Sequence, residues 1–193
     1  MTLKNSLVYI NQFFFFITNQ FRKIYLNSNI YNKKISRGEI NNFTYKPSPS
    51  LLDCLIKYSK KKININEIAL QEVWFQKNLK QKDFKKLHSF FWLFSLDLNS
   101  SKKEVQSVIS KWIDLNEKYR DDIWNADILS KRIISWISNS RITYENGDQD
   151  YKKKFDELIK RQINHLINEI DRSKWIDDKM IGCSAIILTG LAY

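Results

Sequence analysis

Two stretches hold the residues best suited to chemistry. One is Leu87-His88-Ser89-Phe90-Phe91-Trp92-Leu93. The other runs from Trp124 through Arg132 to Trp136. Arg132 and Trp136 are four residues apart, so on a helix they lie one turn apart on the same face. Aromatic faces stack on sugar rings and a guanidinium grips a carboxylate, so Arg132, Trp124, Trp136, His88 and Trp92 are candidate substrate-binding residues for an anionic polysaccharide. The same spacing also suits a buried stripe with one snorkelling cation, and aromatics usually bury, so spacing by itself favours the core.

Other catalytic patterns are scarce. No P-loop, GxGxxG, HExxH, GxSxG or CxxC sequence occurs, which argues against nucleotide kinases, zincins and serine hydrolases. Imidazole chemistry is limited to His88 and His165. His88 reads as a helix-boundary histidine or a cleft residue. His165 falls at the expected exposed edge of a long amphipathic helix, where it and Gln162 could fix a neighbouring helix. The Asp121-Asp122 and Asp177-Asp178 pairs are poor acid–base pairs because adjacent helical residues diverge, and acids near helix starts complement the dipole. Cys54 and Cys183 lie far apart in sequence and define neither a disulfide framework nor a zinc site, so the redox compartment stays open. Cys183, among apolar residues, is expected to pack as a small hydrophobe. No catalytic residue is assigned, and no metal or cofactor is expected.

These residues sit in a helical pattern. With Gly 4 and Pro 2 in 193 residues, the chain lacks the turn formers of an all-β fold. Helices are expected over about 83–98 (Phe84, Leu87, Phe91, Phe94 and Leu98 inward), from a Ser101-to-Glu104 capping box (Val105, Val108, Ile109 and Trp112 inward), over 126–138, over 150–170, and from about 178 onward. Glu145-Asn146-Gly147-Asp148 marks a break. Upstream, the steps among Leu3, Leu7, Ile10, Phe14, Ile17, Phe21 and Ile24 alternate four and three, a helical seam expected to pack on its own domain. Residues 27–82 read as an irregular connection. Pro47 and Pro49 favour extended backbone there, a short helix follows Ser50, and Ile63-Asn64-Ile65 alternates like a strand. Three regions result: the helix 1–26, the connection 27–82 and the helical part 83–193.

The net charge of +11 invites an anionic partner, but 25 Lys against 7 Arg, with Lys, Ile and Asn making up 69 residues, points to compositional drift as the larger cause. No run approaches the roughly 20 apolar residues of a membrane span, so no transmembrane segment is expected. The N-terminus lacks a clean apolar region and a cleavage site, so it does not read as a signal peptide, and a cytoplasmic or periplasmic location in a bacterial-type cell stays open.

From about Ser36 to Tyr193, the order of elements resembles the N-terminal helical region of the heparinase II/III-like family. The carriers are the Leu-His-x-Phe-x-Trp-Leu segment, an amphipathic helix, Trp-x7-Arg-x3-Trp, a long helix with Gln162, His165 and Leu166, and a final apolar helix of small residues. The resemblance implies an all-α chain of antiparallel hairpins forming an incomplete (α/α) toroid. It also implies a parent enzyme that cleaves uronic-acid-containing polysaccharide by β-elimination. That reaction needs the uronate carboxylate neutralised, a base at the adjacent C–H and an acid at the leaving oxygen. In the family the Asn or His, Tyr and second His for these roles come from later helices and a β-sandwich domain. No position here matches them, so this segment by itself is expected to be inactive. The nearly apolar helix from 178 is expected to be buried on all sides, with a further C-terminal part of the same protein as its partner. Two alternatives are a basic helical nucleic-acid module using Lys77, Lys80, Lys82, Lys85 and Lys86, and a peripheral membrane or partner-binding protein using the Phe-rich first helix. Scarce arginine and aromatics on apolar faces argue against the nucleic-acid module, so no nucleic acid is expected as partner.

Overall fold

Residues 3–46, 80–96 and 101–193 are described in a computed structural model of the chain. Among them every regular element is a helix: α1 (Leu3–Leu26), α2 (Asn29–Ile35), α3 (Gln81–His88), a 3-10 turn (Phe91–Ser95), α4 (Lys102–Asn116), α5 (Ala126–Ser138), a one-turn α6 (Ser140–Thr143), α7 (Gln149–Glu169), a second 3-10 turn (Ile170–Arg172) and α8 (Ile176–Ala192). The all-α expectation is met. The short helix after Ser50 and the strand at 63–65 fall outside the described residues, as do Lys77 and Cys54.

Each central helix begins where a side chain can satisfy its free N–H groups. Ser101 Oγ accepts from Glu104 N, Asn125 Oδ1 from Ile128 N and Asp148 Oδ1 from Tyr151 N. Past these caps the 3.6-residue period delivers Val105, Ile109 and Trp112 on α4, Leu129, Ile133 and Trp136 on α5, and Tyr151, Phe155, Leu158 and Leu166 on α7 to one core. Helix α5 is central. It packs against α8, α7, α3 and the first 3-10 turn, while α4 packs on α6 and α7. Gly182 lets α8 approach closely: a Cβ there would run into Ile170 Cδ1 and lie 3.0 Å from its Cγ1.

Four expectations need correction. The helix expected over 83–98 ends at His88. Phe90 takes a left-handed conformation (φ 53°) that breaks the helix, buries its own ring completely and turns Phe91 out to 49% exposure. The connection after residue 26 is not wholly irregular, because Ser28 caps α2 and drives Tyr31 and Ile35 into the core. Helix α8 buries Gly182, Ala185, Thr189 and Ala192 and exposes Ile176, Met180, Ile187 and Leu191, which agrees with a helix expected to need a further part of the protein to cover it. Cys183 shares that exposed side and does not pack as a core hydrophobe. Helix α1 does not bury its apolar seam. Its C-terminal Leu26 is in the core, but Ile10, Phe14, Phe21 and Ile24 face outward.

The segment after α2 ties back to the far end of the fold. Thr44 N donates to Ala192 O at 2.8 Å, and Phe43 packs against Tyr144 and Tyr193. Tyr193 and Tyr144 hydroxyls both donate to the Asp156 carboxylate.

Candidate functional site

Arg132 projects from the middle of α5 into the core, with no solvent exposure. Its Nη1 donates to His88 O (3.0 Å) and Ile123 O (3.1 Å), its Nη2 to Ile123 O (3.1 Å), and its Nε to Gln162 Oε1 (3.3 Å). The guanidinium lies 4.4 Å from the centroid of the Trp112 ring. No carboxylate pairs with it among the described residues, so carbonyl dipoles and one π face carry the compensation. Burial draws its pKa down from 12.5 to about 9, which still leaves the group charged at neutral pH.

Around this cation stands an aromatic cluster. Phe90 meets Trp112, Trp136 and Trp92 at ring-centroid distances of 5.5, 5.1 and 5.6 Å, and Trp112 meets Trp136 edge-on at 5.6 Å. Trp112 Nε1 donates to His88 Nδ1 at 3.0 Å. The half-buried Trp92 donates from Nε1 to Leu87 O at 3.2 Å, closing the turn after α3.

A second polar knot lies alongside. His165 Nε2 faces the Trp124 carbonyl at 3.0 Å, and its Nδ1 lies 2.7 Å from Tyr31 Oη. A carbonyl can only accept, so the neutral ring carries its proton on Nε2, and Tyr31 donates to Nδ1. The rings of Tyr31, Tyr119, Trp124 and His165 pack mainly edge to face. Burial pushes the His165 and His88 pKa values from 6.5 down to about 4, helped by nearby arginines, and pushes the Tyr31 and Tyr119 phenols up.

Four of the five residues expected to bind substrate are therefore core residues: Arg132, Trp136, Trp124 and His88. Trp92 is half-buried. Arg132, Trp136, His88 and Trp92 do come together, while Trp124 joins the neighbouring knot. The core alternative fits this placement, because the guanidinium is already engaged by carbonyls and has no solvent exposure. His165 also needs correction, since it is 5% exposed and not at an edge. The role open to it and Gln162 as fixers of a neighbouring helix is the one seen. Trp112 and Tyr31 were missed as members of these knots. Trp112 had a signal, being an inward position on α4, but Tyr31 lies in an Asn-rich stretch with no pattern pointing to His165.

The described surface clefts lie elsewhere. One of about 600 Å³ opens between α4 and the turn before α7, beside Lys103, Asp114 and Asp148, and another of about 210 Å³ runs between α4 and α7, beside Lys154, Glu157 and Arg161. Both mix charges, and neither is lined by any of the five residues. Compared with protein-family models, curated proteins and solved structures, the chain matches none.

Proposed function

We propose that this chain is the N-terminal helical region of a heparinase II/III-like polysaccharide lyase, and that its part is to build one side of an (α/α) toroid rather than to perform the elimination. One observation carries the reading. Three of the five segments that bear the family resemblance meet at a single side chain: Arg132, from the Trp-x7-Arg-x3-Trp segment, holds the carbonyl of His88 from the first, the Gln162 amide from the long helix, and the carbonyl of Ile123 just ahead of its own segment. Motifs that are remote in sequence but closed around one buried cation behave as one structural unit. The packing of α5 on α7 and α8 and of α4 on α7 is compatible with toroid hairpins, and the apolar outer side of α8 suits the next helix of such a ring.

On this reading Arg132, Trp136, His88 and Trp124 shape the wall that later residues use. The substrate is an anionic, uronate-bearing polymer, and the base and acid come from outside the segment described. A nucleic-acid role has less support, because Lys85 is engaged by Asp127.

The test is to incubate the complete gene product containing these 193 residues with heparan-like and alginate-like polymers and follow the ultraviolet absorbance of unsaturated uronate. Product formation supports the lyase. A folded protein that releases none from any uronate polymer removes the proposal.

A further inference from the structure

A third surface cleft, of about 380 Å³, lies where α2 packs on α7. Asn29, Asn32 and Lys33 of α2, with Ser36 just past its end, line one wall, and Arg161 of α7 lines the other. Arg161 is half-buried and under-supplied with acceptors. Its Nη2 donates to Asn32 Oδ1 at 3.0 Å, while its buried Nε–H meets no acceptor among the described residues. Asn32 is fixed for this contact, because its Oδ1 also accepts from Tyr119 N at 3.3 Å and its Nδ2 donates to Ser28 O at 3.0 Å. No carboxylate among the described residues forms an ion pair with Arg161 or Lys33. Glu117 and Glu157 line the neighbouring cleft between α4 and α7, which Arg161 also borders, and Glu157 is already bound by Lys160 at 2.8 Å. Burial draws the Arg161 pKa down in spite of these two acids, so the hydration lost by the guanidinium is only partly replaced.

We propose that this cleft binds an oxyanion, the carboxylate or phosphate group of a small molecule, with Arg161 as its floor and Lys33 at its rim. Three observations carry the assignment. The described lining holds two cations and no acid, so the cleft favours negative charge. The guanidinium keeps its Nη1 donors unspent, and a planar fork of N–H groups matches the paired oxygens of a carboxylate or phosphate. The walls are already set before any ligand arrives: Asn164 of α7 donates from Nδ2 to Ile35 O at 2.8 Å and to Arg37 O at 3.1 Å, which holds the end of α2 against α7. Asn29 adds a side-chain amide with no partner among the described residues, whereas the Ser36 hydroxyl is spent on Asn32 O. The volume falls in the range of small-molecule sites. This inference does not rest on the lyase reading, since the cleft is separate from the Arg132 cluster and a uronate is one of several carboxylates that would fit it.

Amide spectra of the intact, isotope-labelled chain are recorded while sodium phosphate, and separately sodium glucuronate, replaces sodium chloride at constant ionic strength. Saturating shifts are expected around residues 29–36 and at 161. Lys33→Gln, at an exposed position that leaves the fold intact, should weaken binding about two- to fivefold, and Arg161→Gln should abolish it. Saturation by phosphate alone supports the site and assigns it to phosphoryl ligands, and saturation by glucuronate alone supports it and assigns it to carboxylates. Shifts that never saturate with either anion, or that spread over the whole basic surface, overturn the proposal. So does unchanged affinity in Lys33→Gln, which decides the matter alone if Arg161→Gln does not fold.

Discussion

Acid should loosen this fold through its two histidines, in a window set by their burial. Both are held neutral. His165 needs an unprotonated Nδ1 to accept from Tyr31, and His88 needs one to accept from the Trp112 indole. Their pKa values fall from 6.5 to about 4 on folding. A group depressed in this way stabilises the native state fully above its unfolded value. That contribution drains as pH falls from about 6.5 to about 4, because the unfolded chain takes up protons that the folded one refuses. At 1.36 kcal/mol per unit of pKa, each ring contributes about 3 kcal/mol, and the two together account for about half of a typical domain's stability. Asp156 works against this, because burial raises its pKa and so favours the folded form as acid is added, but it is one group with two compensating hydroxyl donors. For a chain of this length a loss of about 5 kcal/mol lowers Tm by roughly 10–20 °C. The assay is urea or thermal unfolding between pH 7.5 and pH 4.5, with His165→Gln as control. The Gln amide can still accept near Tyr31 or donate to Trp124 O, but it does not titrate, so the pH dependence should fall by about half. Unfolding midpoints that stay level across this range in a folded wild-type protein would refute the reasoning, because they would mean that both rings accept protons without leaving their sites.

Other outcomes follow from the packing. Arg132→Ala strands two backbone carbonyls and the Gln162 amide and opens a void under Trp112, so chemical denaturation should show a loss of about 3–5 kcal/mol. Arg132→Lys should recover little of it, because an ammonium cannot spread its donors over those three directions. Gly182→Ala should cost about 1–3 kcal/mol by pushing α8 off Ile170, whereas Gly190→Ala, with open space around it in the same helix, should be neutral or stabilise by up to about 1 kcal/mol; paired unfolding curves test the contrast. Cys183 should react with a maleimide under native conditions without loss of helical signal, as read by peptide mass mapping.

How much of this was legible depends on the residue. Helices α4, α5 and α7 could be read because period and caps agree: Ser101 before Val105, Asn125 before Leu129 and Asp148 before Tyr151 all place an acceptor ahead of an apolar stripe. The break at Phe90 could not. The local pattern continues as a helix, and the left-handed residue is stabilised by Trp112 and Trp136, which are remote in sequence. The seam of α1 was visible, but periodicity reports that an apolar face exists and says nothing about what covers it. Arg132 and its aromatics were found as a group, and the core placement that their spacing favoured is the one seen. Spacing along a helix cannot distinguish a cleft wall from a core when the deciding contacts, His88 O and Ile123 O, come from backbone. The partnership of Tyr31 with His165, across 134 residues, left no local trace.

Three of the four hydrogen bonds at Arg132 end on main-chain oxygens, which every residue type supplies. The joint is therefore nearly indifferent to what its neighbours become: Ile123 can be exchanged for another apolar residue, and the side chain at 88 can change, while the carbonyls stay where the turns put them. Only the guanidinium itself, and to a lesser degree Gln162, must be written in the gene. In a sequence that has moved so far toward Lys, Ile and Asn, keeping 7 Arg beside 25 Lys, such a fastening concentrates its demand on one codon and leaves the segments it holds free to drift around it.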